Sequence, residues 1–287
     1  QRTNFVAPGD QTSAPELGLF TRSIPSSYWL AELAVLRTEP TDVIVAFGDS
    51  ITDGNNSTPD ANLRYPDQLS NLLRSSGASG RDISVVNAGI GGNRWLHDGL
   101  GPAGSKRFGR DVLEVSGVTA VVIMMGINDI GFGVFSQDEA VSADQLTAAI
   151  GDAATKSRTN GLRVYLGTLP PYGGSLYYTD EGEAERQKVN AWILSDREVD
   201  GVVDFDKLLR DPMNPRFYNP SYDSGDHLHP NDQGYAVMAA AVRDALNFRE
   251  PPNLARAPSQ TLFVAGAREP NATLRSNAML AAKMPAA

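Results

Sequence analysis

Three residue types that together make a hydroxyl group nucleophilic occur in two short segments of the chain. Ser50 lies in a small, polar turn after the apolar run at residues 43–47, and Asp226 and His229 stand three positions apart in one loop near the C-terminus. A serine hydroxyl is a poor nucleophile until a base takes its proton, and the base needs a third group to fix its tautomer. The residue types and their spacing therefore predict a triad of Ser50, His229 and Asp226.

Each member of this triad also has a plainer interpretation. Asp49 or Ser50 could cap a helix that starts after the turn, and Asp226 or Asn231 could cap the helical segment that follows residue 231. His229 would then be an ordinary surface residue. The chain has only three histidines, and further motifs supply what the triad lacks, so we favour the catalytic interpretation.

The other two histidines suggest weaker hypotheses. His227 and His229 form a His-x-His pair near several carboxylates, which could indicate a metal site. No further histidine cluster or recognised ligand spacing accompanies the pair, so we expect no metal. His97, which follows Trp95 and Leu96, could line the acyl or alcohol site, although a structural or rim position is the more ordinary expectation.

Two glycine-containing loops could stabilise the negative charge of a tetrahedral intermediate. These loops, residues 87–94 and 126–129, each follow an apolar, strand-like run. The backbone N–H groups of Gly92 and Ser50 and the side-chain amide of Asn128 could together form a three-donor oxyanion hole. The first loop also begins like a dinucleotide-binding turn, but an arginine occupies the third glycine position of that fingerprint, so the signal for a nucleotide is weak.

The chain resembles the SGNH hydrolases, also called the GDSL esterases and lipases. Four sequence blocks carry the resemblance and occur in the order of the family, between about residues 41 and 246. The blocks are Gly48-Asp49-Ser50, Gly92, Gly126-x-Asn128-Asp129 and Asp226-x-x-His229-Pro230.

The resemblance implies a role for each of these positions. Ser50 would be the nucleophile, His229 the general base and acid, and Asp226 its orienting partner, while Ser50, Gly92 and Asn128 would donate to the oxyanion. It further implies ester hydrolysis with no cofactor. The expected fold is a flavodoxin-like three-layer α/β/α sandwich around a five-stranded parallel sheet, with the site along the C-terminal strand edge.

Residues 164–171 and 200–205 are similar to segments of a bacterial, often secreted, subgroup related to carbohydrate esterases. In that subgroup a β-rich segment commonly precedes the catalytic domain, whereas only about forty residues precede the first strand here. The chain begins at Gln1 rather than at methionine. We therefore expect a secreted or periplasmic protein, from which an N-terminal β-rich domain could have been removed.

The elements that must position these motifs follow from apolar periodicity. Strand-like and helical segments alternate, which favours a parallel sheet with helices on both faces. The predicted strands are residues 43–47, 83–87, 118–125, 163–169 and 201–204, and the predicted helices are residues 64–75, 143–158, 181–198 and 231–246. We expect one catalytic domain at residues 41–247, an N-terminal extension at 1–40 that packs on it, and a C-terminal tail or strap at 248–287.

Composition restricts the partners. The net charge of −9 argues against nucleic acid and against an anionic membrane surface, which both need basic patches. No run approaches the roughly twenty apolar residues that span a bilayer, and the absence of cysteine removes disulfides and thiol chemistry. The expected partner is a small-molecule or carbohydrate ester, and the sequence does not indicate an oligomeric state.

The function predicted from these observations is that of a serine esterase which forms an acyl-enzyme, acting on short-chain acyl or acetyl esters and possibly on carbohydrates. A longer-chain lipase or thioesterase of the same fold stays open, because one sequence cannot show whether Phe132, Phe135 and Tyr172 line an acyl groove or pack the core. A non-catalytic module that binds a polysaccharide or another partner is the alternative from a different class.

Overall fold

The computed structural model describes residues 3–11, 13, 15–24, 33–36, 38, 41–76, 82–196 and 198–246. Its strands are β1 (Asn4–Val6), β2 (Arg22–Ile24), β3 (Thr41–Gly48), β4 (Asp82–Gly89), β5 (Val118–Met124), β6 (Arg163–Gly167) and β7 (Gly201–Val203). Its helices are α1 (Ser50–Asp53), α2 (Tyr65–Ser76), α3 (Gly104–Phe108), α4 (Ile127–Phe132), α5 (Ala143–Thr159), α6 (Asp180–Ser195), α7 (Phe205–Leu209) and α8 (Asp232–Leu246). A π-helical turn, Gly109–Leu113, continues α3.

Five parallel strands form the central sheet in the order β4-β3-β5-β6-β7, and β1 and β2 form a separate antiparallel pair. This order is that of flavodoxin-like folds, in which the second strand lies on one side of the first strand and the later strands are added on the other side. The switch point is the crevice between the first and the third strand. In this protein that switch point lies between β3 and β5. The predicted five-stranded parallel sheet is thus confirmed.

Continuous apolar sequence explains the central strands. Residues 44–48 of β3 and 120–124 of β5 are buried without interruption, as expected for parallel strands covered on both faces. The helices α2 and α8 pack against each other, with α2 also on β4, whereas α5 packs against α6 and β6. In α8 the buried residues Tyr235, Met238 and Val242 recur with helical spacing. These pairs of helices are the two outer layers of the predicted sandwich.

The predicted strands and long helices differ from the observed ones by a few residues at their ends. The sequence did not predict the short helices α1, α3, α4 and α7 or the β1/β2 pair. Helices of four to six residues span too few turns for apolar periodicity to reveal them. Three of these helices directly follow a strand or its exit loop, so they position residues at the carboxyl edge of the sheet.

The described residues near the N-terminus include one contact with the catalytic domain. Thr3 donates hydrogen bonds to the carboxylate of Asp60 from its backbone nitrogen and from its hydroxyl, each at 2.7 Å. Residues 25–32, which contain most of the apolar N-terminal run, lie outside the described residues, so packing of residues 1–40 on the domain stays a prediction. The tail at 248–287 also lies outside them. Within the described part of the chain, no helix is long and apolar enough to cross a membrane.

Candidate active site

Ser50 begins α1, immediately after the central strand β3. Asp49 caps this short helix, because its Oδ1 accepts a hydrogen bond of 3.0 Å from the backbone nitrogen of Ile51. Gly48 is needed for close packing, since a Cβ there would lie 2.5 Å from the carbonyl oxygen of Met124 and 2.1 Å from Oγ1 of Thr52. Asp49 is therefore a cap, as the plainer interpretation held, while Ser50 is buried with its hydroxyl available for a different contact.

The loop before α8 brings an imidazole to that hydroxyl. Nε2 of His229 lies 2.7 Å from Oγ of Ser50, although 179 positions separate the two residues. On the other side of the ring, Nδ1 lies 2.6 Å from Oδ2 of Asp226, whose Oδ1 accepts from the backbone nitrogen of His229 at 2.8 Å. The cap of α8 is Asn231, whose Oδ1 accepts from Gly234 N at 2.9 Å, so Asp226 is not a helix cap.

Asp226 is held as a carboxylate by more donors than the histidine alone. The side-chain amide of Asn56 donates to its Oδ2 at 2.8 Å, and the hydroxyl of Ser224 and the backbone nitrogen of Leu228 donate to its Oδ1. Partial burial raises the pKa of Asp226, but the hydrogen bonds from the ring and backbone of His229 and from the backbone of Leu228, with the charge of His229, hold it well below its usual value. Asn56 and Ser224 carried no signal in the sequence that marked them as parts of the site.

The two predicted oxyanion loops meet beside this group. Asn128, in the first turn of α4, is buried, and its Nδ2 donates to the backbone carbonyl of Asn93 at 3.0 Å. An amide nitrogen carries two hydrogens, so one bond to Asn93 leaves a second donor. The neighbouring Gly92 has a φ of +70°, and Leu100 packs so closely that a Cβ at this position would lie 2.3 Å from its Cδ1. A side chain at position 92 would therefore strain the backbone and force the exposed Leu100 side chain to move.

A buried arginine joins three segments of the site. Arg107 of α3 donates to the carbonyl oxygens of Gly48 and Ala88 and to Oδ1 of Asn93, each at 2.8 Å, and it pairs with Asp111 at 2.9 Å. Its guanidinium also lies over the ring of Phe47, 4.1 Å from the ring centroid. One side chain therefore fixes the ends of β3 and β4 relative to the glycine loop. The sequence analysis missed Arg107, because nothing near it in the chain indicates these partners.

Two buried carboxyl groups lie close to the triad residues. Burial raises the pKa of Asp49 to about 6 and that of Asp129 also to about 6. Asp129 accepts hydrogen bonds from the backbone nitrogens of Trp95 at 2.8 Å and Leu96 at 3.2 Å, so it anchors the loop that follows Gly92. Positive charge on His229 opposes this rise in the pKa of Asp49.

The three aromatic residues singled out as a potential acyl groove have different environments. Tyr172 is completely buried in the core. Phe132, Phe135 and Tyr177 form a surface cluster in which each ring meets the other two edge to face, with centroids 5.7 to 6.0 Å apart. Arg94 covers Phe132 from 4.3 Å. These three rings are engaged with one another, and Phe135 also reaches solvent.

The remaining histidines take no part in the contact between Ser50 and His229. His97 is half-buried in the loop after Trp95. His227 is exposed and its Nδ1 lies 2.5 Å from Oδ2 of Asp223. In the part of the chain that the structure describes, no group of three or more His, Cys, Asp or Glu side chains could hold a metal ion.

Comparison with known proteins identifies the class. The model of the GDSL-like Lipase/Acylhydrolase family matches residues 46–237, which is more than half of the chain. No curated protein sequence matches the chain. The chain therefore belongs to the GDSL-like lipase and acylhydrolase family, and it is a carboxylic ester hydrolase.

Solved structures of low sequence identity share the fold. An acetyl xylan esterase is 22% identical with a TM-score of 0.55, over 71% of this chain and 99% of that one. An acetyl-xylooligosaccharide esterase from Geobacillus Stearmophilus, determined as a mutant, is 22% identical with a TM-score of 0.55, over 74% and 95%. An aryl esterase from M. Smegmatis is 16% identical with a TM-score of 0.54, over 71% and 98%.

Proposed function

We propose that this hydrolase is a serine esterase in which Ser50 is the nucleophile, His229 the general base and acid, and Asp226 the group that orients His229. The observation that carries the proposal is the continuous hydrogen-bonded path from Oγ of Ser50 through His229 to Asp226, with distances of 2.7 and 2.6 Å. A nucleophile, a base and an orienting group within hydrogen-bond reach are what acyl transfer requires.

The first half of the reaction forms an acyl-enzyme. As Oγ of Ser50 bonds to the ester carbonyl carbon, its proton passes to Nε2 of His229, and the carbonyl electron pair moves onto the oxygen. Asp226 accepts a hydrogen bond from Nδ1–H of the ring and stabilises the imidazolium. When the tetrahedral intermediate collapses, the bond to the alcohol oxygen breaks and His229 donates its proton to that oxygen. Water then repeats the sequence, which releases the acid and restores Ser50.

The oxyanion of both intermediates would be bound by three donors, the backbone nitrogens of Ser50 and Gly92 and Nδ2 of Asn128. The way the fold holds Asn128 beside Gly92 supports this assignment of the donors. The bond from Asn128 to the carbonyl of Asn93 ties the side-chain donor to the residue next to Gly92. Because these donors are fixed by the fold before substrate arrives, little reorganisation is needed as charge develops.

The substrates that we propose are short-chain acyl esters, with acetyl groups on carbohydrates as a natural class. Phe132, Phe135 and Tyr177 pack against one another and Tyr172 lies in the core, so the apolar surface left for an acyl chain is small and is mainly that of Phe135. Each additional CH₂ gains only about 0.8 kcal/mol, and only where a wall buries it. Acetylated xylan and xylooligosaccharides are substrates named for two proteins of this fold.

Purified Ser50→Ala tests the catalytic proposal. We expect the variant to fold normally, as measured by circular dichroism and thermal unfolding, and to lose hydrolysis by a factor on the order of 10⁶. His229→Ala should lose about as much, because the two residues act as a unit. An active wild type whose Ser50→Ala variant keeps more than a few per cent of its activity would rule out this nucleophile. A wild type without esterase activity would instead favour the binding module.

A series of p-nitrophenyl esters, measured beside acetylated xylan and acetylated sugars, tests the substrate proposal. We expect kcat/KM to be greatest for acetyl to butyryl esters and to decline beyond about eight carbons. A maximum at about ten or more carbons would favour the lipase alternative, since long chains gain only from a buried apolar wall. That result would leave the triad assignment intact.

A further inference from the structure

The loop at residues 223–230 contains two Asp–His pairs that are built in the same way. In the first pair, Asp226 accepts from the backbone nitrogen of His229 at 2.8 Å and meets its Nδ1 at 2.6 Å. In the second pair, Asp223 accepts from the backbone nitrogen of His227 at 3.1 Å and meets its Nδ1 at 2.5 Å. Each carboxylate therefore fixes the ring so that Nε2 points away from it.

The two Nε2 atoms face different surroundings. The side chain of His229 is 10% exposed and its Nε2 meets Ser50, whereas the side chain of His227 is 47% exposed. Among the residues that the structure describes, none forms a hydrogen bond with Nε2 of His227. Because the carboxylate of Asp223 accepts a hydrogen bond from Nδ1–H, Nε2 of the neutral ring is a hydrogen-bond acceptor that is open to a ligand.

The backbone gives a second reason to regard His227 as functional. Its φ is +61°, a left-handed conformation that glycine adopts freely and that costs other residues roughly 1–2 kcal/mol. The turn does not need the imidazole, because Oδ1 of Asp223 also accepts from the backbone nitrogen of Gly225 at 2.8 Å. A strained residue whose side chain is not required by its own turn points to a role for that side chain.

His227, Gly174 and Phe217 lie side by side at the surface, and we call this group the floor. A Cβ at Gly174 would lie 3.2 Å from Cδ2 of His227 and 3.3 Å from Cε1 of Phe217, so both rings flank this glycine. Phe217 is 38% exposed. An imidazole acceptor beside an exposed aromatic ring suits a ligand that has both hydroxyl groups and C–H faces, as a sugar ring has.

The positions of the catalytic groups determine which part of an ester lies near this floor. His229 must lie within about 2.6–3.2 Å of the alcohol oxygen to protonate it, whereas the proposed oxyanion donors Gly92 and Asn128 come from other loops. The Cα of His227 is two residues from that of His229 and hence at most about 7 Å away. His227 is therefore close to the residue that protonates the leaving alcohol.

We propose that His227, oriented by Asp223, is a specificity-determining residue that accepts a hydrogen bond from a hydroxyl group on the alcohol part of the ester. The enzyme then prefers esters of polyhydroxy alcohols, such as sugars, over esters of simple alcohols with the same acyl group. This inference rests on the proposed function, because it takes His229 as the acid that protonates the leaving alcohol.

The test compares mono-O-acetyl methyl xyloside with ethyl acetate, by the release of acetate. Glycine at position 227 relieves the backbone and removes only the side chain. In His227→Gly we expect the ratio of kcat/KM for the sugar ester to that for ethyl acetate to decrease about 3- to 10-fold, mainly through KM, as one lost hydrogen bond predicts. The same sugar acetate with its hydroxyls methylated should show no decrease of this ratio.

Asn62→Gly is the matched control, since Asn62 is exposed and also has a positive φ, of +57°. It should leave the ratio unchanged. This inference is overturned if the ratio is the same in wild type and in His227→Gly, or if it decreases equally for the methylated sugar. In either case hydrolysis that depends on Ser50 would persist, so the proposed function would stand. A wild type that hydrolyses neither ester would overturn the proposed function and this inference together.

Discussion

Replacing the buried Arg107 with methionine should weaken both stability and turnover. Methionine keeps an unbranched apolar stem but removes every donor, so Oδ1 of Asn93 and the carbonyl oxygens of Gly48 and Ala88 each lose a hydrogen bond. The carbonyl oxygen of Gly48 still accepts from the backbone nitrogen of Ile90 at 3.2 Å. Asp111 also loses its buried ion-pair partner, although its own side chain is partly exposed and can reach water.

The magnitude follows from these contacts. Each buried acceptor left without a donor costs about 1–3 kcal/mol, and breaking a buried ion pair costs about 3–5 kcal/mol in total. Because the site can relax and Asp111 can hydrate, we expect the free energy of unfolding to decrease by about 3–5 kcal/mol rather than by the full sum. A looser Asn93 would also displace the acceptor of Asn128, so kcat should decrease about tenfold with little change in KM.

Urea unfolding followed by circular dichroism measures the stability, and steady-state hydrolysis of an acetyl ester at low temperature measures kcat and KM. Arg110→Met is the matched control, because Arg110 binds the same Asp111 at 2.5 Å but is 58% exposed. An exposed pair contributes about 0–1 kcal/mol, so the control should remain close to wild type. Equal losses in the two variants, or an Arg107→Met enzyme as stable as wild type, would refute the reasoning.

Three further predictions concern other parts of the site. Asn128→Ala should lower kcat by about 10²–10³ with little change in KM, because an oxyanion donor acts in the transition state; a raised KM at unchanged kcat would instead indicate binding of the ground state. Dialysis against EDTA should leave hydrolysis unchanged, and a loss that a divalent ion restores would revive the metal hypothesis at the pair of His227 and His229. Burial raises the pKa of Asp129, like that of Asp49, to about 6. Between pH 3.8 and about 6 the folded state therefore binds more protons than the unfolded state. The stabilisation is complete below pH 3.8, and the free energy of unfolding decreases by about 3 kcal/mol per carboxyl as pH rises through about 6. In urea titrations, Asp129→Asn should make the decrease in unfolding free energy between about pH 4 and 7 smaller by about 3 kcal/mol, while the contribution of Asp49 remains. A difference from wild type that does not vary with pH would contradict this.

The sequence predicted the sheet and the residues that meet at its edge because both depend on local patterns. Continuous apolar runs identified the five strands, and the carboxyl ends of parallel strands lie at one edge of a sheet. Loops that follow those strands must therefore converge, and Ser50 and Asn128 follow β3 and β5 on either side of the switch point. The roles proposed for them remain predictions from chemistry, which the variants above address.

Only the tertiary structure decided how these groups are supported. Asn56 reaches Asp226 across 170 positions, and Arg107 reaches Gly48 across 59. The tertiary structure also showed that Tyr172 packs in the core, whereas Phe132 lies in a surface cluster. Periodicity records which face of an element is buried, but it does not record which distant side chain fills the space opposite. That choice depends on the packing of all layers at once, so it emerges only when the chain has folded.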